Sequence, residues 1–166
     1  MNRFVYVTYV RTTPAKLWQA LTEPAFTERY WFGARQECDW KVGSPWKLVM
    51  PNVGLADSGE VLEVEPERRL VLSWRNEFMP ELKAEGFSRM TYDIEPDGET
   101  VKFTVTHESE GAVFIEKVSG GWPKILSSLK SLLETGKPLA SGNEPPPPEF
   151  IAAVKKAVAE KPWLKR

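Results

Sequence analysis

A chain of 166 residues carrying 22 Lys+Arg against 23 Asp+Glu, interspersed along its length, has no basic footprint for nucleic acid. The single cysteine, Cys38, excludes an internal disulfide, and the single histidine, His107, excludes a metal site built from histidines, so no metal is expected. No apolar run reaches the ~18 residues needed to span a bilayer, and a soluble cytoplasmic protein without membrane insertion is expected. The length suits one domain able to bury roughly two-thirds of its unfolded surface.

The alternation of bulky and polar residues from Met1 to Val10 reads as a strand rather than as a signal sequence. Thr12-Thr13-Pro14 then supplies a hydroxyl cap and a proline at the first helical position, with Leu17, Trp18 and Leu21 at helical spacing. Pro24 restarts the chain into a second short helix with Phe26, Tyr30 and Trp31 on one side, closed by Gly33. From Ala34 to His107 the period changes to two, and turn residues divide it into strands at Ala34–Trp40, Trp46–Met50, Gly59–Glu65, Leu70–Asn76, Phe87–Glu95 and Thr100–Glu108. Alternation gives each an apolar face: Trp46, Leu48 and Met50; Leu70, Leu72 and Trp74; Met90, Tyr92 and Ile94; Val101, Phe103, Val105 and His107.

Those faces need a cover. Trp122, Ile125, Leu126, Leu129, Leu132 and Leu133 recur at the spacing of an amphipathic helix that Gly136 ends. Gly120-Gly121 and Pro123 mark either its first turn or a kink in a longer helix beginning near Ala112. The expected division is a domain over 1–137, a Pro-rich linker over 138–148 and a helical tail over 149–166. In the tail, Phe150, Ile151, Val154 and Val158 form a stripe too short to be stable alone, so docking is expected, with Trp163 as a further contact.

The local motifs Thr13 to Pro24, Asp39-Trp40-Lys41-Val42-Gly43, Arg69 to Trp74, Thr106-His107-Glu108 and Gly121-Trp122 with Leu126 and Leu129 follow one another in a familiar order. Over about residues 3 to 136 the chain resembles the bacterial homologues of the activator of heat-shock protein 90 ATPase, a branch of the START-like superfamily. The resemblance implies an α+β helix-grip fold: a seven-stranded curved antiparallel sheet around a long C-terminal helix, with two short helices after strand one. It also implies a hydrophobic ligand held between sheet and helix.

Seven tryptophans and eight phenylalanines either fill a dense core or line a cavity. On the cavity reading, Trp31, Trp40, Trp46, Trp74, Met90, Tyr92, Phe103, His107, Trp122 and Leu126 line it, with Tyr92 and His107 as polar anchors. Nucleotide-binding glycine motifs and a Gly-x-Ser-x-Gly elbow are absent, so neither a cofactor nor a catalytic residue is assigned. The expected partner is a small hydrophobic or aromatic molecule. The alternatives are a chaperone-associated module that meets a protein partner through the outer sheet face, and a cyclase- or hydrolase-like enzyme using Tyr92 and His107; a homodimer is a further candidate assembly, with the tail docking on its own domain or on a neighbouring subunit.

Overall fold

The structure is a computed structural model that describes residues 1–31, 33–51, 54–139 and 148–160. Strand β1 (Asn2–Val10) leads into helices α1 (Pro14–Thr22) and α2 (Pro24–Tyr30). Six strands come next, β2 (Arg35–Cys38), β3 (Pro45–Met50), β4 (Gly54–Glu65), β5 (Arg69–Asn76), β6 (Ser88–Asp97) and β7 (Thr100–Ser109), with helix α3 (Pro80–Ala84) between β5 and β6. Helix α4 (Ala112–Thr135) and helix α5 (Pro148–Glu160) complete the chain.

The sheet order is β1-β7-β6-β5-β4-β3-β2, every neighbour antiparallel. The chain thus uses α1 and α2 to cross from one sheet edge to the other, then returns hairpin by hairpin until β7 meets β1. Thr13 caps α1 by accepting the Lys16 N–H at 3.2 Å, with Pro14 in the first turn. Gly136 closes α4 in the left-handed conformation (φ 82°), which glycine adopts without a Cβ penalty.

The strand faces read from the sequence are the buried ones. Trp46, Leu48, Met50, Leu70, Leu72, Trp74, Met90, Tyr92, Ile94, Val101, Phe103, Val105 and His107 all point into the interior. Helix α4 covers them through Trp122, Ile125, Leu126, Leu129 and Leu132, and it begins at Ala112, so Gly120, Gly121 and Pro123 lie within the helix.

Several boundaries differ from the sequence reading. The strand expected to run to Trp40 stops at Cys38, because Trp40 turns to φ 56° and its N–H bonds to the Cys38 Sγ at 3.2 Å. The strand expected from Gly59 begins at Gly54. Two register shifts interrupt its pairing, one leaving Ala56 without a partner on β3 and one leaving Leu62 without a partner on β5. Bulges of this kind hide a strand from a period-two reading and bend it. Phe87, the expected start of a strand, is exposed just before β6, and α3 forms where the sequence pattern predicts no element.

Helix α5 docks on the domain. Val154 is fully buried and the Phe150 ring meets Phe78 edge-on at 5.1 Å between centroids. The Val158 side chain, Trp163 and residues 140–147 lie outside the described residues. Ending the chain after Gly142 should uncover this contact and lower the melting temperature by roughly 2–8 °C, the equivalent of about 1–3 kcal/mol. A melting curve unchanged by the truncation would show that α5 adds nothing to the fold.

Candidate functional site

The sheet and α4 do not meet along their whole length. The second half of α4 packs closely, with Leu126, Leu129 and Leu132 buried and Lys130 reaching the Tyr9 carbonyl of β1. Under its first half the interior opens into a cavity of about 400 Å³. That volume lies within the range of small-molecule pockets. Trp31 follows α2 into one wall; Leu48 and Met50 of β3, Ala56 and Asp57 of β4, and Trp74 and Asn76 of β5 form the sheet side. Phe78 and Met79 come from the turn into α3, Leu82 from α3 itself, and Phe114, Val118, Gly121, Trp122 and Ile125 from α4. Phe150 of α5 and the exposed Lys117 stand at the rim.

Of the residues expected to line a cavity, Trp31, Trp74 and Trp122 do so. Their rings cluster at 5.4–6.0 Å between centroids. Met90, Phe103 and Leu126 belong instead to the solid part of the core, and Trp40 is half-buried beside it. Trp46 is fully buried with its N–H on the Gln36 Oε1 at 2.9 Å, while the Gln36 amide donates to the Leu21 carbonyl and to Thr27. This network joins β3 and β2 to α1 and α2. Tyr92 packs between Phe103 and Trp122, and burial pushes its phenol well above the ordinary range.

His107 lies one layer behind the cavity wall, completely buried. The Trp122 indole N–H donates to its Nδ1 at 3.1 Å, so the ring proton sits on Nε2 and is directed at Ser88 Oγ, 2.8 Å away. The Ser88 hydroxyl in turn donates to the Trp74 carbonyl at 2.9 Å. Burial drives the imidazole down to about 3, so it stays neutral at any ordinary pH. Both nitrogens are engaged, and the ring serves as a strut that fixes Trp122 over the cavity.

The polar groups of the sheet wall are Asp57 and Asn76, which the sequence reading did not single out. They face each other across β4 and β5, with the Asn76 amide donating to Asp57 Oδ1 at 3.3 Å. The Asn76 carbonyl oxygen accepts the N–H groups of Phe78 and Met79 at 3.2 and 2.8 Å, which turns the chain into α3. Burial pushes the Asp57 carboxyl up to about 7, opposed by hydrogen bonds from the Trp74 indole and Asn76, with the nearby Glu77 carboxylate adding to the rise. Periodicity misses Asp57 because it sits in the bulged part of β4, and Leu55-Ala56-Asp57-Ser58-Gly59 does not alternate. The available signal for Asn76 was an Asn four residues ahead of a proline, a turn into a helix.

Glu85, just beyond α3, caps the first turn of α4, taking the Val113 and Phe114 N–H groups at 3.2 and 3.0 Å. The approach requires Gly111, where a Cβ would stand 1.9 Å from the Glu85 carboxylate. Among the described residues no group of three His, Cys, Asp or Glu side chains is placed to hold a metal ion. No helix among them is long and apolar enough to cross a membrane.

This architecture is the helix-grip arrangement of the START-like proteins. The family described as "Activator of Hsp90 ATPase homolog 1-like protein" matches residues 11–134, and the chain belongs to it. Solved structures share the fold. MLL2253 from Mesorhizobium loti is 23% identical with a TM-score of 0.69, covering 80% of this chain and 96% of its own. The Aha1 dimer from Colwellia psychrerythraea is also 23% identical, with a TM-score of 0.67 over 82% of this chain and 99% of its own. CalU16 from Micromonospora echinospora, at 18% identity and a TM-score of 0.66, covers 98% of this chain and 87% of its own. No protein of curated function matches the sequence.

The buried carboxyl has a measurable signature. A native pKa above the unfolded value means that the native state keeps this proton to higher pH. The contribution of Asp57 to stability is therefore most favourable below about pH 4 and is lost as pH rises through about 7. Asn at this position does not titrate. The stability of the native protein relative to Asp57→Asn should fall by about 3–5 kcal/mol between pH 4 and pH 8 in urea unfolding. A difference that stays constant over that range would contradict the burial of the carboxyl.

Proposed function

We propose that the protein binds a small, largely apolar molecule in the cavity between β3, β4 and β5 and the first half of α4. The observation that carries this reading is the cavity itself, about 400 Å³ walled by the indoles of Trp31, Trp74 and Trp122 and by aliphatic side chains. A protein interior normally packs to crystal-like density, and a space of this size under an otherwise well-packed helix is a departure from that rule. The reading differs from the sequence expectation in its anchor: Asp57, braced by Asn76, takes the place of Tyr92 and His107. With both His107 nitrogens engaged and neither residue lining the cavity, proton transfer by that pair has no geometric support.

A second reading concerns the outer face of the sheet. Val5, Val7 and Tyr9 on the edge strand β1 are about half exposed and side by side in alternation, a surface on which a protein partner or second copy could pair. The names of two similar structures, the Aha1 dimer from Colwellia psychrerythraea and an HSP90 activator from Plasmodium falciparum, fit such a role. This reading leaves the cavity unexplained and therefore stands second. Multi-angle light scattering of the native chain and of Val7→Lys tests it: loss of a dimer in the variant supports pairing there, and two identical monomers count against self-pairing.

The cavity reading is tested at Gly121, which lines the cavity and where a Cβ would meet nothing within 4 Å. Gly121→Leu should fold, since the new side chain has room and leucine is a better helix former by roughly 1 kcal/mol. It should fill the space and abolish binding. A thermal-shift screen of lipids, flavonoids and polyketides should give compounds that raise the melting temperature of the native protein, by about 2.7 kcal/mol of stabilisation at a hundredfold excess over Kd. The same compounds should leave Gly121→Leu unmoved. Equal shifts in both proteins would place binding elsewhere.

A further inference from the structure

The cavity wall is apolar except around Asp57, and the chemistry of that carboxyl narrows what the cavity can hold, provided the cavity is the binding site proposed above. Asn76 has little to offer a ligand as an acceptor, because its carbonyl is already taken by the Phe78 and Met79 N–H groups and its amide is turned to Asp57. Polar recognition therefore falls to Asp57. A carboxylate offers about four acceptor positions. The groups that act on this one are Trp74, Asn76 and Glu77: two neutral donors and a second acid, with no cation among them.

The cations flanking Asn76 on the segment from β5 into α3 are committed elsewhere. Glu77, itself buried, holds Arg75 through two hydrogen bonds and pairs with Lys83 at 3.3 Å. Lys117 is at the rim, exposed, with its charge in solvent. Among the described residues this carboxyl has no counter-charge in its apolar wall; such a group is costly, and that cost is recovered when a ligand brings a cation. The flanking surfaces suit the same guest. Trp74, which bonds Asp57, lines the cavity with Trp31 and Trp122 packed against it, and the negative face of an indole attracts an organic cation.

We infer that the ligand of this cavity is an organic amine, an apolar and ring-bearing body that delivers a protonated amino group to Asp57. The indoles and the β3 and α4 aliphatic side chains hold the body, and Asp57 selects the head. Asp57 is then a specificity-determining residue, not a catalytic one.

A matched series tests this: 2-naphthylmethylamine, 2-naphthylmethanol and 2-naphthylacetic acid, titrated calorimetrically at pH 7.5 into the native full-length chain, Asp57→Asn and Gly121→Leu. The amine should bind the native protein about 10–100-fold more tightly than the alcohol, the range expected for one buried charge-assisted contact, and the acid should bind most weakly. In Asp57→Asn the advantage of the amine over the alcohol should vanish while the alcohol still binds. If the alcohol or the acid matches the amine in the native protein, the amine inference is overturned; where all such binding is also lost in Gly121→Leu, the cavity reading survives it. If none of the compounds binds the native chain, both readings fall. Because the comparison among compounds is made on the native protein, poor folding of a variant would not rescue the inference.

Discussion

The interaction on which the site depends is the hydrogen bond from the Trp122 indole to His107. It ties α4 to β7, and through the Nε2 of His107 and the hydroxyl of Ser88 it continues to the backbone of β5 at Trp74. Each group in this chain is buried, so each would carry a desolvation cost of about 1–3 kcal/mol if its partner were removed. The chain therefore specifies one orientation for the Trp122 ring rather than a range of them. The relay orients the Trp122 ring and ends on the Trp74 backbone, and Trp31 rests against the rings of both tryptophans. Rigid walls of this kind favour binding because little side-chain entropy remains to be lost when a ligand enters.

The cavity exists because α4 is built against its own propensity where it crosses the opening. Gly120, Gly121 and Pro123 sit within the helix, and each glycine is about 1 kcal/mol and the proline about 3 kcal/mol less favourable there than alanine. No helix would hold such a stretch unless tertiary contacts secured both ends. They do: Glu85 caps the first turn at Val113 and Phe114, and Trp122, Ile125, Leu126, Leu129 and Leu132 anchor the later turns to the sheet. Gly121 faces the opening with no side chain, so the space is set partly by an absent Cβ. The local weakness and the room for a guest thus have the same origin in sequence.

Much of the fold was legible because the burial pattern is simple. β3, β5, β6 and β7 alternate cleanly, so their inward residues could be named, and the stripe from Trp122 to Leu133 could belong only to a covering helix. The aromatic residues left two readings open, filled core or cavity, and the structure contains both. Trp46, Tyr92 and Phe103 fill the interior, whereas Trp31, Trp74 and Trp122 line an opening. Periodicity cannot separate these cases, because a ring facing a neighbour and a ring facing a void obey the same alternation. The inward face of His107 was legible in the same way, but its distance from the opening depended on where α4 lay across the sheet.

Asp57 was hidden for a different reason, and that reason bears on what the residue does. A regular β4 would pair Val49 with Ala56 and continue the alternation; instead Ala56 is an extra residue, and Leu55, Ala56 and Asp57 are all buried in succession. Beyond the bulge Asp57 stands opposite the inward-facing Leu48, so an acidic side chain enters an apolar interior, an arrangement that sequence rules mark as an error because it destabilises the fold at neutral pH. Packing does not require a carboxyl at this position, since a neutral side chain of similar size would avoid the charge cost. Asn76 already turns the chain into α3 through its carbonyl oxygen and gives Asp57 only an amide proton. Local rules fail here while the surrounding strands obey them, and the failure coincides with the wall of the cavity. On the proposed binding role, that coincidence is what a group kept for recognition at the expense of stability would show.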